Sequence, residues 1–266
     1  MKNDMIIFIK KLLLFVRGIF YRERNTPTNL YHLTIQKSGS QWVKHILSDK
    51  RFRAKSKLKK YPQHRYEWNE FHQIFPKGTF VPGLYMSYDL YEEIQKPNNY
   101  KTICIIRDPR DIVVSWYYSA LKTHALIGKV AKYREALTSM DIDTGLHYGI
   151  DELSMKFMAM RTWINNKDDE NMLIIKFEDL TSNPLESFFK ISKWCSFDLS
   201  KRELKEILDS YTKEKMRKKD LKKRKVKSES HYRTKSSNHT MYFKEEHFKH
   251  FYNVTGNLID VLGYER

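Results

Sequence analysis

The sequence predicts an α/β fold with three layers: a central, mainly parallel sheet and helices on both of its faces. Apolar, β-branched runs alternate along the chain with segments of helical periodicity, the pattern of a parallel sheet covered on both sides. Tyr100 to Ile106 is dominated by apolar and β-branched residues, as expected of a strand buried on both faces. With 266 residues the chain is long enough for one large domain with a substantial core.

The N-terminal segment, residues 1–25, is expected to form a separate helix before the folded domain of residues 26–266. Met5 to Phe20 is mostly apolar, but three cations interrupt it, so it falls short of the roughly 20 residues of a membrane-spanning helix. No small-residue cleavage pattern follows it, which argues against a signal peptide. An amphipathic helix on a membrane surface fits this pattern, and a helix packed on the domain or on a partner subunit is the alternative.

The composition favours an anionic partner. The net charge is +17 and the pI about 9.6, which suits a phosphorylated cofactor, a polyanionic acceptor, a nucleic acid or an anionic membrane surface. The two cysteines, Cys104 and Cys195, provide neither a disulfide framework nor a zinc site. We therefore expect both thiols to be buried and inert, and the protein to be cytoplasmic.

The first strand-turn-helix unit is predicted from Leu30 to Leu47. Leu30 to Ile35 indicates a strand, the small residues around Gly39 a tight turn, and helical spacing follows from Trp42 to Leu47. Gly39 can adopt backbone angles that other residues avoid, and the helix behind it directs unpaired N–H groups and a positive dipole end at the turn. With Lys37 this is a P-loop-like phosphate-binding turn, and an ordinary turn with a solvated lysine is the alternative.

The second strand-turn-helix unit follows the strand at Tyr100 to Ile106. Asp108 is the expected N-cap and Pro109 the first helical residue. Arg107 therefore lies at the carboxyl end of a strand, where ligands bind in open α/β sheets. An anion bound by Arg107 could also contact Ser115, eight residues further on, only if the helix runs past that anion. The alternative partners of Arg107 are carboxylates: Asp108, Asp111 and Glu178.

The remaining elements follow from periodicity and turn residues. Tyr61 to Phe75 is predicted to be a long surface loop that carries function, and the basic run from Lys213 to Lys227 a solvated, mobile segment. Predicted strands lie at Thr79 to Val81, bounded by Pro82 and Gly83, and at Met172 to Phe177. Predicted helices lie at Tyr88 to Ile94, Ile150 to Asn165, Leu185 to Trp194, Lys201 to Tyr211 and about Glu245 to Leu262.

Four segments, in matching order and spacing, resemble motifs of sulfotransferases that use 3′-phosphoadenosine 5′-phosphosulfate (PAPS). Residues 35–42, I-Q-K-S-G-S-Q-W, resemble their P-K-S-G-T-T-W loop. Residues 105–118, I-I-R-D-P-R-D-I-V-V-S-W-Y-Y, look like their second motif, and residues 177–180, F-E-D-L, resemble Y-E-D-L. Residues 258–265 are similar to a common bacterial ending of the family. The resemblance covers most of the chain from about Leu30 and implies a sulfotransferase domain at residues 26–266.

The resemblance implies that the first unit holds the 5′ side of PAPS. Lys37 would stabilise the negative charge that develops on the leaving phosphate oxygen. Trp42 would pack against the adenine. The loop residues between them would bind the 5′-phosphate: Ser38, Gly39, Ser40 and Gln41. Gln41 stands where the family usually has threonine, which replaces a hydroxyl contact by an amide.

The 3′ side of PAPS would be held by the second unit, through Arg107 and Ser115. A last family motif, R-K-G-x-x-G-D-W, closes over the cofactor. Here Arg233 is kept and Lys235 offers a second cation, but both glycines and the tryptophan are missing. The resemblance therefore does not establish that this segment closes over the cofactor. PAPS would be a co-substrate, and the resemblance implies no metal.

The acceptor base is not marked by a motif. Many cytosolic members have a histidine in a T-H-x-P segment, whereas the corresponding region here reads G-L-Y-M, residues 83–86. Glu70 and His72 are the catalytic candidates, with Glu67 and His124 as further ones. A solvated or structural side chain is the alternative for each of them.

The sequence thus predicts an enzyme that transfers a sulfuryl group from PAPS to a hydroxyl or amine of a small molecule or glycan, including a lipid-linked saccharide. A peripheral membrane contact through residues 5–20 is expected, and no specific nucleic acid. One alternative is a non-catalytic polyanion- or membrane-surface-binding protein on a degenerate fold, motivated by the charge of +17. A P-loop phosphotransferase is disfavoured, because its lysine would follow the glycine corresponding to Gly39.

Overall fold

The structure is a computed structural model that describes residues 26–62, 74–126, 128–223, 230, 232 and 238–265. Several predicted features lie outside these residues: the N-terminal helix, Glu67, Glu70 and His72, and the cations Arg233 and Lys235. They stay predictions. No helix of the described part is both long and apolar enough to cross a membrane.

A parallel sheet forms the centre of the domain. In the described part of the chain it has five strands in the order β2-β3-β1-β4-β5, and all neighbouring strands are parallel. The strands are β1 (Asn29–Thr34), β2 (Lys59–Lys60), β3 (Thr79–Leu84), β4 (Tyr100–Ile106) and β5 (Met172–Lys176).

Helices cover both faces of this sheet. They are α1 (Ser40–Leu47), α2 (Lys50–Ser56), α3 (Tyr88–Glu92), α4 (Pro109–Tyr118), α5 (Val130–Thr138), α6 (Ile142–Asn165), α7 (Phe177–Ser182), α8 (Pro184–Trp194), α9 (Lys201–Asp209), α10 (Lys213–Lys223), α11 (Glu245–Thr255) and α12 (Leu258–Val261). A π-helical turn at Ser119–Thr123 extends α4, and a 3-10 turn at His239–Met241 precedes α11.

The alternation of side chains along the strands creates two cores. In β4, Cys104 and Ile106 face one core, whereas Ile103 and Ile105 face the other. The first core contains apolar residues of α4, α5, α6 and α11, and the second contains those of α1, α2, α8 and α9. The predicted three-layer α/β fold is therefore confirmed.

The structure differs from the predicted elements in two informative places. The predicted end of β3 at Pro82 is wrong, because the strand continues to Leu84 with a shift in its register against β1. Proline lacks the N–H group that would donate a hydrogen bond to a neighbouring strand. The register shift lets β3 continue without this hydrogen bond. The predicted C-terminal helix is divided into α11 and α12 at Gly256, whose φ is 59°.

Two other expectations concern single segments. The basic run is helical over Lys213–Lys223, where a solvated mobile segment was expected. Both cysteines are free and buried, as predicted. Burial raises the pKa of both thiols, so they are protonated near neutral pH.

Candidate active site

The carboxyl ends of three neighbouring strands meet at one edge of the sheet. Thr34 at the end of β1 pairs with Ile105, and Ile106 at the end of β4 pairs with Lys176 at the end of β5. The residues that follow each strand therefore come together at this edge. They are the β1–α1 loop (residues 35–39), Arg107 and Phe177.

The β1–α1 loop leaves the N-terminus of α1 open. Lys37 and Gly39 both have φ of 73°, in the left-handed region. Gly39 is the N-cap of α1 without a side-chain hydrogen bond, and the first turn of α1 contains no acidic residue. The first N–H groups of the helix and its positive dipole end thus face the loop, which favours an anion.

Ser38 adds a buried donor to this loop. Its side chain is fully buried, and its hydroxyl has no hydrogen-bond partner among the described residues. A buried hydroxyl without a partner is costly unless a ligand completes it. The loop residues therefore fit an anionic group such as a phosphate.

Gly39 is required by packing as well as by its backbone angle. A Cβ atom at this position would lie 2.3 Å from a carbon of the Phe177 ring. The first residue of α7 is therefore in close contact with the β1–α1 loop. The sequence pattern indicated the turn but not this contact, which joins residues far apart in the chain.

Arg107 is held on three sides at this edge. Its Nη1 donates to the carbonyl oxygen of Lys37 at 2.7 Å, and its Nη2 lies 3.6 Å from Asp111 Oδ2. The guanidinium lies 4.8 Å from the centre of the Phe177 ring. Burial lowers the pKa of Arg107, while Asp111 and Glu178 favour its charged form. Of the alternative partners predicted for Arg107, the structure thus shows an ion pair with Asp111.

His239 completes this arrangement from the 3-10 turn. Its backbone N–H and its Nδ1 both lie 2.8 Å from Asp111 Oδ1. Burial raises the pKa of Asp111, but the bonds from His239 and the charge of Arg107 outweigh it, so the pKa lies below its usual value. No sequence pattern marked His239, because its contact with Asp111 joins residues that are far apart in the chain.

The start of α4 is closed by carboxylates. Asp108 accepts from the backbone N–H of Arg110 at 2.9 Å and pairs with its guanidinium at 2.8 Å, both side chains being buried. Glu178 accepts from the backbone N–H of Asp108 at 3.1 Å and from the hydroxyl of Tyr264 at 2.8 Å. Tyr264, near the C-terminus, therefore contacts the carboxylate that holds the turn between β4 and α4. Burial and Glu178 raise the pKa of Tyr264, so its hydroxyl stays a donor.

Other predicted site residues take defined positions. Trp42 is half-buried, donates from Nε1 to the Tyr211 carbonyl oxygen at 2.9 Å and packs edge-on against Phe188. Gln41 is exposed on the first turn of α1, and Ser115 is half-buried on α4. The roles predicted for these residues towards adenine and phosphates stay predictions.

Tyr85 also lies beside the first turn of α1, and no sequence pattern marked it. It follows the end of β3, and its hydroxyl lies 3.0 Å from Ser40 Oγ on the first turn of α1. It belongs to the segment in which a histidine was sought. His124, a further candidate base, is exposed after the π-helical turn, and its Nδ1 lies 3.0 Å from the Ala125 carbonyl oxygen.

The fold and this edge define an α/β protein in which an open helix N-terminus, a lysine and an arginine lie at the carboxyl end of a parallel sheet, the edge where ligands bind in such folds. The profile of the family described as sulfotransferase domain matches residues 27–262. The chain belongs to the sulfotransferase family, which confirms the predicted family.

Known proteins of this family are similar to most of the chain. The amine sulfotransferase of Oryctolagus cuniculus is 26% identical over 196 residues, which cover 71% of this chain and 63% of that relative. The chain thus spans somewhat less than two thirds of that relative's length. Mouse sulfotransferase SULT7A1, solved in complex with PAP, superposes with a TM-score of 0.60 at 17% identity, covering 87% of this chain and 83% of the other.

A second solved structure is retinol dehydratase in complex with androsterone and the inactive cofactor PAP. It superposes with a TM-score of 0.57 at 16% identity and covers 91% of this chain and 82% of that chain. These two likenesses support the fold assignment. They also show that the sheet and its helices are shared across low sequence identity.

Proposed function

We propose that this chain is a PAPS-dependent sulfotransferase that modifies a hydroxyl or an amine. The observation that carries the proposal is the β1–α1 loop, in which an open helix N-terminus, the buried hydroxyl of Ser38 and Lys37 lie beside Arg107. Two cations at one sheet edge suit a donor with two separate anionic groups. Membership in the sulfotransferase family supports this activity independently of the geometry.

The chain's residues would divide the work as follows. PAPS, when bound, supplies a sulfuryl group on a phosphate that departs as PAP. Lys37 stabilises the charge that develops on the departing phosphate oxygen, together with the N–H groups at the start of α1. Ser38 binds the 5′-phosphate, and Arg107 and Ser115 bind the 3′-phosphate. A base takes the proton of the acceptor; Glu70 and His72 remain the candidates predicted from the sequence.

We propose a small molecule with a hydroxyl or amine as the acceptor. The similarity to an amine sulfotransferase supports the amine class, and the androsterone complex of retinol dehydratase shows that a related fold accommodates a hydroxysteroid. A glycan or lipid-linked saccharide is the acceptor class that the aromatic residues between Tyr61 and Phe75 would suit. An acceptor screen with labelled PAPS, read by mass shift, separates these classes.

The test of the function uses the donor product. We expect PAP to bind in isothermal titration calorimetry, and Lys37→Ala to lower turnover of the best acceptor by about 10²- to 10³-fold. Lys190→Ala, which removes an exposed lysine of α8, is the matched control and should change nothing. Absence of PAP binding, or equal turnover by the Lys37 variant and its control, would contradict the proposed function.

The basic helix α10 favours a second candidate, a polyanion-binding protein without transfer activity. Its sequence, K-E-K-M-R-K-K-D-L-K-K, is strongly cationic. Binding of heparin through such a surface would weaken steeply with salt and would not depend on Lys37. Transfer activity that requires Lys37 at physiological salt would exclude this candidate as the main function.

A further inference from the structure

The backbone of Lys37 needs support from its surroundings. Lys37 has φ of 73°, in a region that residues with a Cβ atom rarely adopt. Strained conformations of this kind persist only where neighbouring groups hold them in place. The side chain assigned to the leaving oxygen therefore extends from a backbone that requires an external restraint.

Arg107 supplies a restraint to this backbone. Its Nη1 donates to the carbonyl oxygen of Lys37 at 2.7 Å across 70 positions of sequence. Since the donor is a guanidinium, this is a charge-assisted hydrogen bond, which is stronger than a bond between neutral groups. The bond reaches the peptide group that links Lys37 to Ser38, so it fixes both residues of the phosphate loop.

Arg107 is itself well fixed, which makes it an effective support. Its side chain is buried, Asp111 lies on one side of the guanidinium, and the Phe177 ring lies 4.8 Å away. The same ring is in close contact with Gly39. Arg107 and Phe177 therefore contact the loop at two points, Lys37 and Gly39.

We propose that Arg107 is a positioning residue for Lys37 and Ser38, in addition to its role at the 3′-phosphate. The inference rests on the proposed function, because the binding test below measures affinity for PAP. A guanidinium has five N–H donors in a planar fork, so the same side chain can contact an anion as well as the Lys37 carbonyl oxygen and Asp111. The two halves of the donor site are thus mechanically coupled, and the 3′-phosphate contributes to the order of the 5′ loop.

The first test needs no ligand. Amide hydrogen exchange of the peptide that covers residues 37–41 should accelerate by about fivefold or more in Arg107→Ala, because the loop loses its restraint. Ser115→Ala, the matched control on the 3′ side, should leave this exchange unchanged. Equal exchange in the Arg107 variant and the wild-type protein would overturn the inference. Should Arg107→Ala fail to fold, Arg107→Lys, which keeps the charge but lacks the planar fork, takes its place.

The second test compares two nucleotides that differ only in the 3′-phosphate, PAP and adenosine 5′-monophosphate, by calorimetry or displacement. Ser115→Ala should weaken PAP alone. Arg107→Ala should weaken both, with adenosine 5′-monophosphate losing about fivefold or more. An unchanged affinity for adenosine 5′-monophosphate would restrict Arg107 to the 3′-phosphate and overturn the inference. A wild-type protein that binds neither nucleotide would contradict the proposed function instead, and the exchange measurement would still decide the role of Arg107.

Discussion

The two strand-turn-helix units of this protein have the same order of elements but differ at the N-terminus of the helix, which is uncapped in the first unit and capped in the second. In the first, α1 begins at Gly39 with no side-chain cap and no acidic residue in its first turn. In the second, Asp108 caps α4 and Asp111 lies in its first turn. The first unit can therefore bind an anion with its backbone, whereas the second is closed and contributes the side chain of Arg107. Under the proposed function, the two units would therefore contact anions through different groups.

This comparison predicts where each unit is vulnerable. The first depends on an unobstructed loop, and its variants should lose ligand binding. The helix N-terminus of the second depends on the buried ion pair of Asp108 and Arg110, and variants of that pair should lose stability. Variants of the two units can be compared by the same pair of measurements, PAP affinity and the free energy of unfolding.

The largest effect on binding is expected for Gly39→Ala. The added Cβ atom would lie 2.3 Å from the Phe177 ring and would sit on a backbone with φ of 73°. Displacing the ring and the loop should weaken PAP by about 100-fold in calorimetry. Gly78→Ala is the matched control, because Gly78 has φ of 77° but open space around its Cβ position. If the Gly39 variant bound PAP as tightly as this control, the contact with Phe177 would not determine the shape of the loop.

Asp108→Ala should show the opposite behaviour. It leaves the buried guanidinium of Arg110 without its carboxylate and removes the cap of α4, which should cost about 3 kcal/mol in urea unfolding. Asp108→Asn keeps the capping oxygen, so it should recover about 1 kcal/mol of this loss. PAP affinity of the folded protein should not fall in either variant. A stable Asp108→Ala protein that fails to bind PAP would reverse the assignment of roles.

The sequence revealed the local part of this architecture. Asp108 as the cap and Pro109 as the first helical residue follow from the order of residue types, and the structure confirms both. Likewise, the turn at Lys37 and Gly39 was predicted because a strand, a small-residue turn and a helix succeed one another within a short segment, and the structure shows this order. Short-range patterns report short-range structure, and both units are of this kind.

The rest of the site could not be read from the sequence, because it consists of contacts between distant residues. Tyr85, which follows β3, contacts Ser40 at the start of α1, and His239, which follows α10 in the chain, contacts Asp111 on α4. Phe177 was recognised as part of a motif, yet its contact with Gly39 depends on how β5 is placed beside β4. Periodicity gives the face of an element but not its neighbour in space.

The strands of the two units also differ in their response to acid. His32 in β1 is fully buried, and neither ring nitrogen has a partner among the described residues. Burial, with a smaller contribution from Lys44, lowers the pKa of His32 to about 3. In β4 the buried ionisable group is Cys104, and a thiol is neutral in acid even without the upward shift of its pKa that burial causes. Of these two buried groups, only His32 should therefore make the stability of the protein sensitive to acid.

The free energy of unfolding should consequently fall as the pH is lowered below about 6.5, the usual pKa of histidine in an unfolded chain. In that range the unfolded state binds a proton that native His32 does not, so the slope from this residue approaches about 1.4 kcal/mol per pH unit. The loss continues down to the native pKa of about 3. Urea unfolding between pH 7 and pH 5 measures it before most carboxylates titrate. His32→Leu should flatten the slope, because it removes the group whose pKa differs between the folded and unfolded states.

The smallest effect, and the most selective one, is expected for Ser38→Ala. Ser38 and Ser192 are both fully buried, but Ser192 donates to the Phe197 carbonyl oxygen at 3.1 Å, whereas Ser38 has no partner among the described residues. Removing the Ser38 hydroxyl should not lower the unfolding free energy of the ligand-free protein, since no bond within the protein is lost and a buried donor without a partner is removed. It should weaken PAP by about tenfold, because a hydrogen bond to a charged phosphate is lost.

Ser192→Ala should give the reverse result, a loss of about 1 kcal/mol in stability with unchanged PAP affinity. The two serines thus separate a hydroxyl that serves the fold from one that serves the ligand. If Ser38→Ala destabilised the protein as much as Ser192→Ala and left PAP binding intact, the Ser38 hydroxyl would belong to the fold. The first unit would then bind its anion through Lys37 and the backbone of α1 alone.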